Sequence, residues 1–304
     1  MWAITSYFNP ASYRRKYENY LAFRRALEVP LVAVELVYGT DPELSENDAE
    51  ILIQISGRDV LWQKERLLNV ALEAVPSSAT SVAWLDCDVL FERPDWAALT
   101  DESLKHHVLV QPFSEVFEMP MGGDSRTSAY DRKMAVHCGT AIAKRLGEDL
   151  SGTSIFELGP SIRSSGLAWA ARREVLDTVG FYDSCILGGG DRALVAAAVG
   201  DFDSPAQHWQ WNPRQVAHFR EWAECFFTAV QGRIGFVEGP LIHLWHGDPE
   251  ERRYRQRLLD LAAFDFDPFI DIAIGEGGCW RWNTPKEELR SYAARYFEER
   301  REDG

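Results

Sequence analysis

Two aspartates separated by one residue are the clearest candidates for chemistry in this chain. Asp86 and Asp88 directly follow the apolar run 82–85, and Val89 and Leu90 come after them. Two carboxylates this close repel each other unless a proton or a cation joins them, and Mg²⁺ or Mn²⁺ with shared phosphates does so. If the run is a parallel strand, the pair emerges at the sheet edge where ligands bind in open α/β folds. The spacing therefore predicts a metal site that accepts a diphosphate.

The same triplet has a plainer interpretation. A solvated turn in which two aspartates cap the next segment gives an identical pattern, since Asp is common in turns. The apolar residues on both sides of the triplet favour the functional site over the turn.

A second constellation lies further along the chain. His243 and His246 stand three residues apart after a short apolar strand, a spacing that allows both to face one site. Arg253 and Arg257 follow, four residues apart, and we expect them to share one face of a helix. Guanidinium groups placed there would hold a diphosphate and stabilise it as it leaves. The alternative is an exposed, charged helix.

Three glycines, residues 188–190, precede Asp191 at the predicted start of an alanine-rich helix. Glycine allows close approach of the backbone to a ligand, and Asp191 takes a cap or first-turn position. A ligand-binding turn and an ordinary helix N-cap both account for this pattern.

Alternating strand and helix signals in the first hundred residues predict the sheet that positions these groups. Apolar runs separated by amphipathic segments are typical of an α/β fold with an open, mainly parallel sheet and helices on both faces. The predicted strands are 2–7, 31–38, 51–55 and 82–85, and the predicted helices are 12–28 and 57–75.

The later part of the chain is less regular. Its patterns predict strands at 108–112 and 166–171, a loop or lid at 114–127, helices at 173–179 and 191–199, and a mostly helical tail from 248 onward. Because no internal repeat and no Pro- or Ser-rich linker separates these parts, we predict one domain over residues 1–304.

Composition narrows the class of protein. The net charge of -15 disfavours general binding to nucleic acid or anionic membranes, and no run approaches the roughly 20 apolar residues of a membrane span. The five cysteines are scattered, odd in number and without a CxxC pair, which argues against a disulfide framework and a thiolate zinc site. With no secretion leader recognisable at the start, we expect a cytoplasmic protein.

Taken together, these motifs resemble the glycosyltransferases of the GT-A fold, in which a DxD triplet ends a strand of the nucleotide-binding sheet. The resemblance implies that Asp88 is a metal ligand and that Asp86 contacts the nucleotide. The helix before the triplet carries Lys64 and Arg66, similar to the basic helix of such enzymes, and these side chains would neutralise donor charge. A merely solvated helix face is the alternative for both.

The resemblance also assigns roles beyond the triplet. It implies that Asp191 is the general base for the acceptor hydroxyl, although Gly190 replaces the Glu of the commoner Glu-Asp pair, so a single acid that only orients the acceptor stays open. It implies that His246 completes the metal shell, with His243 in a second-shell or core role. Imidazole ligation favours Mn²⁺ over Mg²⁺.

The expected activity is metal-dependent transfer of a sugar, of the hexosyl type, from a nucleotide-diphosphate donor, with a UDP-sugar as the first choice. The acceptor is open between a glycan, a small molecule, a protein and a modified nucleobase. We expect residues 1–110 to form the donor lobe, 111–247 the acceptor lobe and 248–304 a helical segment.

Two other functions remain open at this stage. A haloacid-dehalogenase-type phosphatase also uses a DxD strand end, with Asp86 as nucleophile, but it usually carries the motif near the amino terminus and has a small residue and Thr where this chain has Val89 and Leu90. A non-catalytic sugar-binding protein of the same fold is the other alternative, since fold alone does not establish activity.

Overall fold

The computed structural model describes residues 1–123, 132–148, 154–158 and 164–304. The strands are β1 Trp2–Phe8, β2 Leu31–Tyr38, β3 Ile51–Gly57, β4 Ser81–Leu85, β5 Val89–Phe91, β6 Leu109–Gln111, β7 Glu115–Glu118, β8 Val136–Thr140, β9 Ala168–Arg172, β10 Ile234–Phe236, β11 Pro240–His243, β12 Ile272–Ile274 and β13 Trp280–Trp282. The helices are α1 Arg14–Ala26, α2 Lys64–Ala74, α3 Trp96–Ser103, α4 Ile142–Leu146, α5 Arg173–Val179, α6 Gly190–Val199, α7 Ser204–Trp209, α8 Pro213–Val230, α9 Gln256–Asp260 and α10 Glu287–Glu298.

A seven-stranded sheet in the order β10-β6-β9-β4-β1-β2-β3 forms the centre of the fold. Strands β4, β1, β2 and β3 are parallel, with Ile4 aligned to both Val32 and Trp84. Their carboxyl ends therefore fall on one edge of the sheet, and Asp86 follows β4 at that edge. Strand β9 runs antiparallel between β4 and β6, so the sheet is mixed.

Both faces of this sheet are covered, as the sequence predicted. Residues of β2 alternate between two hydrophobic clusters: Val32 and Val34 pack with the α2 side, whereas Ala33 packs with Tyr20 and Phe23 of α1. Every residue from Leu31 to Leu36 is buried, including Glu35, as expected for a strand that is covered on both faces. The expected open α/β sheet with helices on both faces is confirmed.

A second sheet, β5-β11-β7-β8, lies next to the triplet. Strand β11 pairs antiparallel with β5, which places His243 opposite Val89, and the Leu244 amide donates to the Asp88 carbonyl at 2.8 Å. This pairing brings the histidine segment to the end of β4. The predicted loop at 114–127 is wrong for Glu115–Glu118, which forms β7 between β11 and β8, and its part at 124–127 lies outside the described residues.

Two further expectations about secondary structure are wrong. Helix α2 begins at Lys64 and not near Gly57, because Ser56 and Gly57 continue β3 beside β2. The tail is only partly helical, since the aromatic stretch near its middle forms the β12-β13 hairpin before α10. Within the described residues, no helix is both long enough and apolar enough to cross a membrane.

Candidate metal centre and active site

Three side chains at the β4 edge converge on one point. The Nε2 atoms of His243 and His246 are 2.9 Å apart and lie 3.7 Å and 3.3 Å from the Asp88 carboxylate oxygens. Ligand bonds of about 2.1 Å place neighbouring corners of an octahedron about 3 Å apart. The cluster therefore has the separations of three adjacent ligands, with the remaining positions left for a substrate.

The electrostatics of the cluster favour a cation. Burial, followed by the charge of Arg252, lowers the pKa of His243 to about 4 and that of His246 well below its usual range, so both imidazoles are neutral and able to act as ligands. Burial and the Asp86 charge raise the pKa of Asp88 to about 7. Its Oδ1 is buried without a hydrogen-bond partner among the described residues. A divalent cation would satisfy this oxygen and remove the penalty of burying the charge.

Lys64 forms ion pairs with both Asp86 and Asp191. Its Nζ lies 2.6 Å from Asp86 Oδ1 and 3.0 Å from both carboxylate oxygens of Asp191. Burial alone lowers the pKa of Lys64, but Asp191 and Asp86 outweigh it and hold that pKa well above its ordinary value. The structure thus brings Asp86, the predicted nucleotide contact, and Asp191, the predicted base, together on one ammonium group.

Close packing fixes the position of Asp191 at the start of α6. A Cβ atom on Gly166 would lie 2.6 Å from Asp191 Oδ2, so the glycine makes room for the carboxylate. Burial raises the pKa of Asp191, and the Lys64 charge opposes this rise. Lys64 and Gly166 therefore fix the orientation of the Asp191 side chain, which stays 28% exposed beside the glycine run.

A further acid, Glu65, completes the same group of charges. Its carboxyl group fills the space where a Cβ atom of Gly190 would stand. Burial raises the pKa of Glu65 to about 8, opposed by Lys64 and supported by Asp191. Glu65 was not among the residues predicted for the site; the available signal was the glycine at position 190, where the resemblance leads one to expect an acid.

Arginines form a buried cationic group behind the histidines. Arg252, Arg257 and Arg300 are each 5% or 6% exposed. The Arg257 guanidinium carbon lies 5.5 Å from the centre of the Trp62 ring and 4.8 Å from that of Tyr296. Burial and the neighbouring Arg300 lower the pKa of Arg257 to about 9. Such a group is a ready site for an anion.

The hydrogen bonds of two of these arginines go to neutral groups. Within the described part of the chain, Arg252 donates to the His246 carbonyl at 3.0 Å and to the Tyr254 hydroxyl, and Arg257 donates to the Arg252 carbonyl and the Tyr296 hydroxyl. Because burying an uncompensated charge is unfavourable, an anionic ligand here would stabilise the folded protein.

Two residues expected at the donor site lie elsewhere. Arg66 pairs with Asp183 at 3.0 Å, and Asn69 donates to the same carboxylate, so these side chains hold α2 against the loop before α6. Arg253 pairs with Asp260 at 2.7 Å and stays partly exposed. Its φ of +44° places it in a turn before α9, so the expected helix face shared with Arg257 does not form.

Arg257, in contrast, lies in the cationic group, where sequence reasoning missed Arg252 and Arg300. From the sequence, His243 was expected only in a second-shell or core role. In the structure, its Nε2 is one of the candidate ligand atoms. The i, i+3 spacing of the histidines was the available signal for His243. Nothing local in the sequence marks Arg300, because it arrives from the segment after α10.

No protein-family model matches this chain, and no curated protein matches its sequence. Similar solved structures include glucosyl-3-phosphoglycerate synthase from Mycobacterium tuberculosis with Mn²⁺, UDP-glucose and phosphoglyceric acid, at 16% identity and a TM-score of 0.41, covering 90% of this chain and 82% of that one. Another is 4-diphosphocytidyl-2C-methyl-D-erythritol synthase from Anaerococcus prevotii, at 10% identity and a TM-score of 0.34, covering 85% and 95%. Similarity at this level concerns the fold and assigns no activity.

Proposed function

We propose that this chain is a metal-dependent glycosyltransferase that moves a sugar from a nucleotide-diphosphate donor to an acceptor hydroxyl. The observation that carries the proposal is the convergence of two sites at the carboxyl end of β4. One is the cluster of Asp88, His243 and His246, and the other is Asp86 joined to Asp191 through Lys64. A candidate metal site and a candidate base lie on the two sides of one triplet.

On the donor side, Asp88, His243 and His246 would hold the cation and Asp86 would contact the nucleotide. Mn²⁺ is favoured over Mg²⁺ because two imidazoles suit it better. When bound, the cation supplies Lewis-acid stabilisation of the negative charge on the diphosphate. Arg252 donates to the His246 carbonyl and Arg257 to the Arg252 carbonyl, and these two arginines would bind the same diphosphate as it departs. A UDP-sugar is the first donor to test.

On the acceptor side, Asp191 would take the proton of the attacking hydroxyl. Its position at the first turn of α6 is fixed, and both oxygens are held by Lys64. A carboxylate within hydrogen-bond reach of a hydroxyl contributes general-base catalysis. In this proposal residues 1–110 form the donor lobe and 111–247 the acceptor lobe of one cytoplasmic domain, with His243 and His246 reaching the metal from the end of the acceptor lobe. The acceptor class is open between glycan, small molecule, protein and modified nucleobase.

The phosphatase alternative requires Asp86 to attack a phosphorus atom. The Lys64 ammonium group that pairs with Asp86 Oδ1 at 2.6 Å also holds Asp191, which has no role in that alternative. The alternative also leaves the two buried imidazoles beside Asp88 without a role. The glycosyltransferase accounts for both features.

The first test is a thermal-shift panel of nucleoside diphosphates with and without Mn²⁺, because a ligand that binds the native state raises the melting temperature. We expect the nucleotide to add a shift only when Mn²⁺ is present, beyond the shift that the metal causes alone, and we expect this added shift to disappear in Asp88→Ala. Asp95→Ala is the matched control, since Asp95 is exposed and pairs only with nearby Arg93 in the described structure. Absence of a metal-dependent shift with every nucleotide would contradict the proposal.

The second test separates an enzyme from a sugar-binding protein. UDP-sugars are incubated with Mn²⁺ and a mixture of acceptors, and the products are read by mass spectrometry. A new glycoside, absent from the Asp191→Asn reaction, is the expected result. Binding of a nucleotide sugar without any transfer to an acceptor or to water would favour the non-catalytic alternative.

A further inference from the structure

The segment after α10 returns to the histidine side of the metal cluster. The Glu302 side chain is 3% exposed, and its Oε1 lies 3.8 Å from His246 Nδ1. The other ring nitrogen of His246, Nε2, is the atom that faces Asp88. Gly247 has a φ of +94°, and a Cβ atom there would lie 2.7 Å from the Arg300 carbonyl oxygen. The two segments are therefore packed too closely for Glu302 to be a loosely placed surface group.

The carboxylate of Glu302 has acceptor capacity that its present contacts do not use. Its Oε1 pairs with Arg300 Nη2 at 2.5 Å. Its Oε2 is buried and has no hydrogen-bond partner among the described residues. The separation of 3.8 Å from His246 Nδ1 is about 0.9 Å longer than a typical N–H···O bond. A hydrogen bond therefore requires these two atoms to approach each other by about that distance.

The contact between the two histidines shows why such a partner matters. With the Nε2 atoms 2.9 Å apart, one of them must carry the proton when they hydrogen-bond to each other. If His246 carries it, the lone pair needed to bind a metal is absent from that nitrogen. An acceptor at Nδ1 favours the opposite tautomer, in which Nδ1 is protonated and Nε2 is free to coordinate.

We infer that Glu302 is a positioning residue for His246: it accepts a hydrogen bond from Nδ1–H and so selects the tautomer whose Nε2 binds the cation with Asp88 and His243. The inference rests on the metal site of the proposed function. Partners of this kind fix the orientation of a ligand histidine and increase its basicity, and their loss costs about 10- to 100-fold in metal affinity.

Asp303 provides a matched control from the same segment. Its carboxylate accepts hydrogen bonds from the backbone amides of Arg15 at 2.8 Å and Arg14 at 3.2 Å, at the start of α1. Asp303 holds the segment in place, whereas Glu302 faces His246. A role of Glu302 that is only structural would be shared by Asp303.

The experiment measures Mn²⁺ binding without nucleotide, from the electron paramagnetic resonance signal of the free ion. We expect Glu302→Ala to weaken affinity by about 10- to 100-fold. Glu302→Gln keeps the shape and a neutral acceptor, so an intermediate loss is expected, and Asp303→Asn should retain wild-type affinity. In a His246→Ala background, Glu302→Gln should cause no further loss, because its effect passes through that ring.

The outcomes separate the inference from the proposed function. If wild type binds Mn²⁺ and His246→Ala weakens it while both Glu302 variants bind as wild type, the metal site stands and the inference is wrong. An equal loss in Glu302→Gln and Asp303→Asn would also overturn it, as would an additive loss in the double variant. If wild type binds no Mn²⁺, both fail. Circular dichroism identifies the variants that fold, and only these are compared. If Glu302→Ala does not fold, the affinity of the isosteric Glu302→Gln variant decides the question.

Discussion

The Lys64 ammonium group lies 3.0 Å from each carboxylate oxygen of Asp191, a contact between the first residue of α2 and the first turn of α6. The same atom lies 2.6 Å from Asp86. One cation therefore joins the end of the central strand β4 to the helix that carries the candidate base. Through Lys64, the Asp86 carboxylate is coupled electrostatically to that of Asp191.

Lys64→Met should destabilise the protein, because it leaves two partly buried carboxylates without their cation. Breaking a fully buried pair costs about 3–5 kcal/mol, and the partial exposure of Asp86 and Asp191 places the loss at or below the lower end of that range. Urea unfolding measures it. The matched control is Lys105→Met, which removes an exposed pair with Glu102 and should leave the unfolding free energy close to that of wild type. Equal effects in the two variants would contradict the bridging role.

Asp191→Asn should separate binding from transfer. The amide keeps the size of the side chain but removes the proton acceptor, so we expect turnover to fall by about 10²- to 10⁴-fold. The Mn²⁺-dependent thermal shift with a nucleoside diphosphate should persist, because that site is built from other residues. Asp177→Asn serves as control, since Asp177 forms an exposed pair with Arg173 on α5. Full turnover in Asp191→Asn would remove its assignment as base.

Local patterns predicted much of the central sheet. The bounds of β2 and α5 agree with the predicted runs 31–38 and 173–179, because a strand rich in apolar residues and a terminating glycine are local signals. The prediction that Asp86 stands at a ligand-binding sheet edge also rested on a local run, the four apolar residues before it.

What the sequence did not predict depends on pairing between distant segments. The insertion of β9 antiparallel to β4, and the pairing of β11 with β5 that brings His243 to Asp88, join segments more than 80 residues apart. The turn conformation of Arg253, which separates it from Arg257, is set by tertiary contacts with Asp260 and Glu299 and leaves no mark on residue spacing. Glu65 and Glu302 enter the site in the same non-local way.

Gly190→Ala tests the close contact with Glu65. Alanine normally stabilises a helix relative to glycine by about 1 kcal/mol, but here its Cβ atom overlaps the Glu65 carboxyl group. We therefore expect Gly190→Ala to lower the unfolding free energy. Adding Glu65→Ala should recover part of the loss, which makes the two substitutions non-additive in a double-mutant cycle. Additive effects would show that the two positions do not meet.

Glu65→Gln should change how stability depends on pH. Burial raises the Glu65 pKa from 4.5 to about 8, with Lys64, Asp191, Asp86 and the Cys185 thiol as the groups around it. Between those values the folded state binds the proton and the unfolded state does not, so the stability that Glu65 contributes is lost as pH rises toward 8. The difference in unfolding free energy between Glu65→Gln and wild type should therefore shift in favour of the variant from about pH 5 to pH 8. Above about pH 8 this difference should stay constant.

The control for this trend has the opposite sign. The hydrogen bond from Lys105 lowers the pKa of exposed Glu102, so its contribution is present at neutral pH and is lost as pH falls. Urea unfolding of Glu102→Gln across the same range should show no gain toward pH 8. A flat difference between wild type and Glu65→Gln would mean that Glu65 is ionised in the folded protein throughout.

His243→Ala tests the ligand that the structure adds to the sequence-based set. Its Nε2 lies 2.9 Å from that of His246 and 3.7 Å from Asp88, so its loss removes one of three converging atoms. The loss of an outer-shell partner lowers metal affinity by about 10- to 100-fold. We expect the loss of His243 to lower Mn²⁺ affinity by at least as much, measured by titration without nucleotide. His106→Ala, at an exposed position, should bind as wild type does. If His243→Ala also binds as wild type while His246→Ala does not, His243 supports the site without coordinating, as its sequence context first indicated.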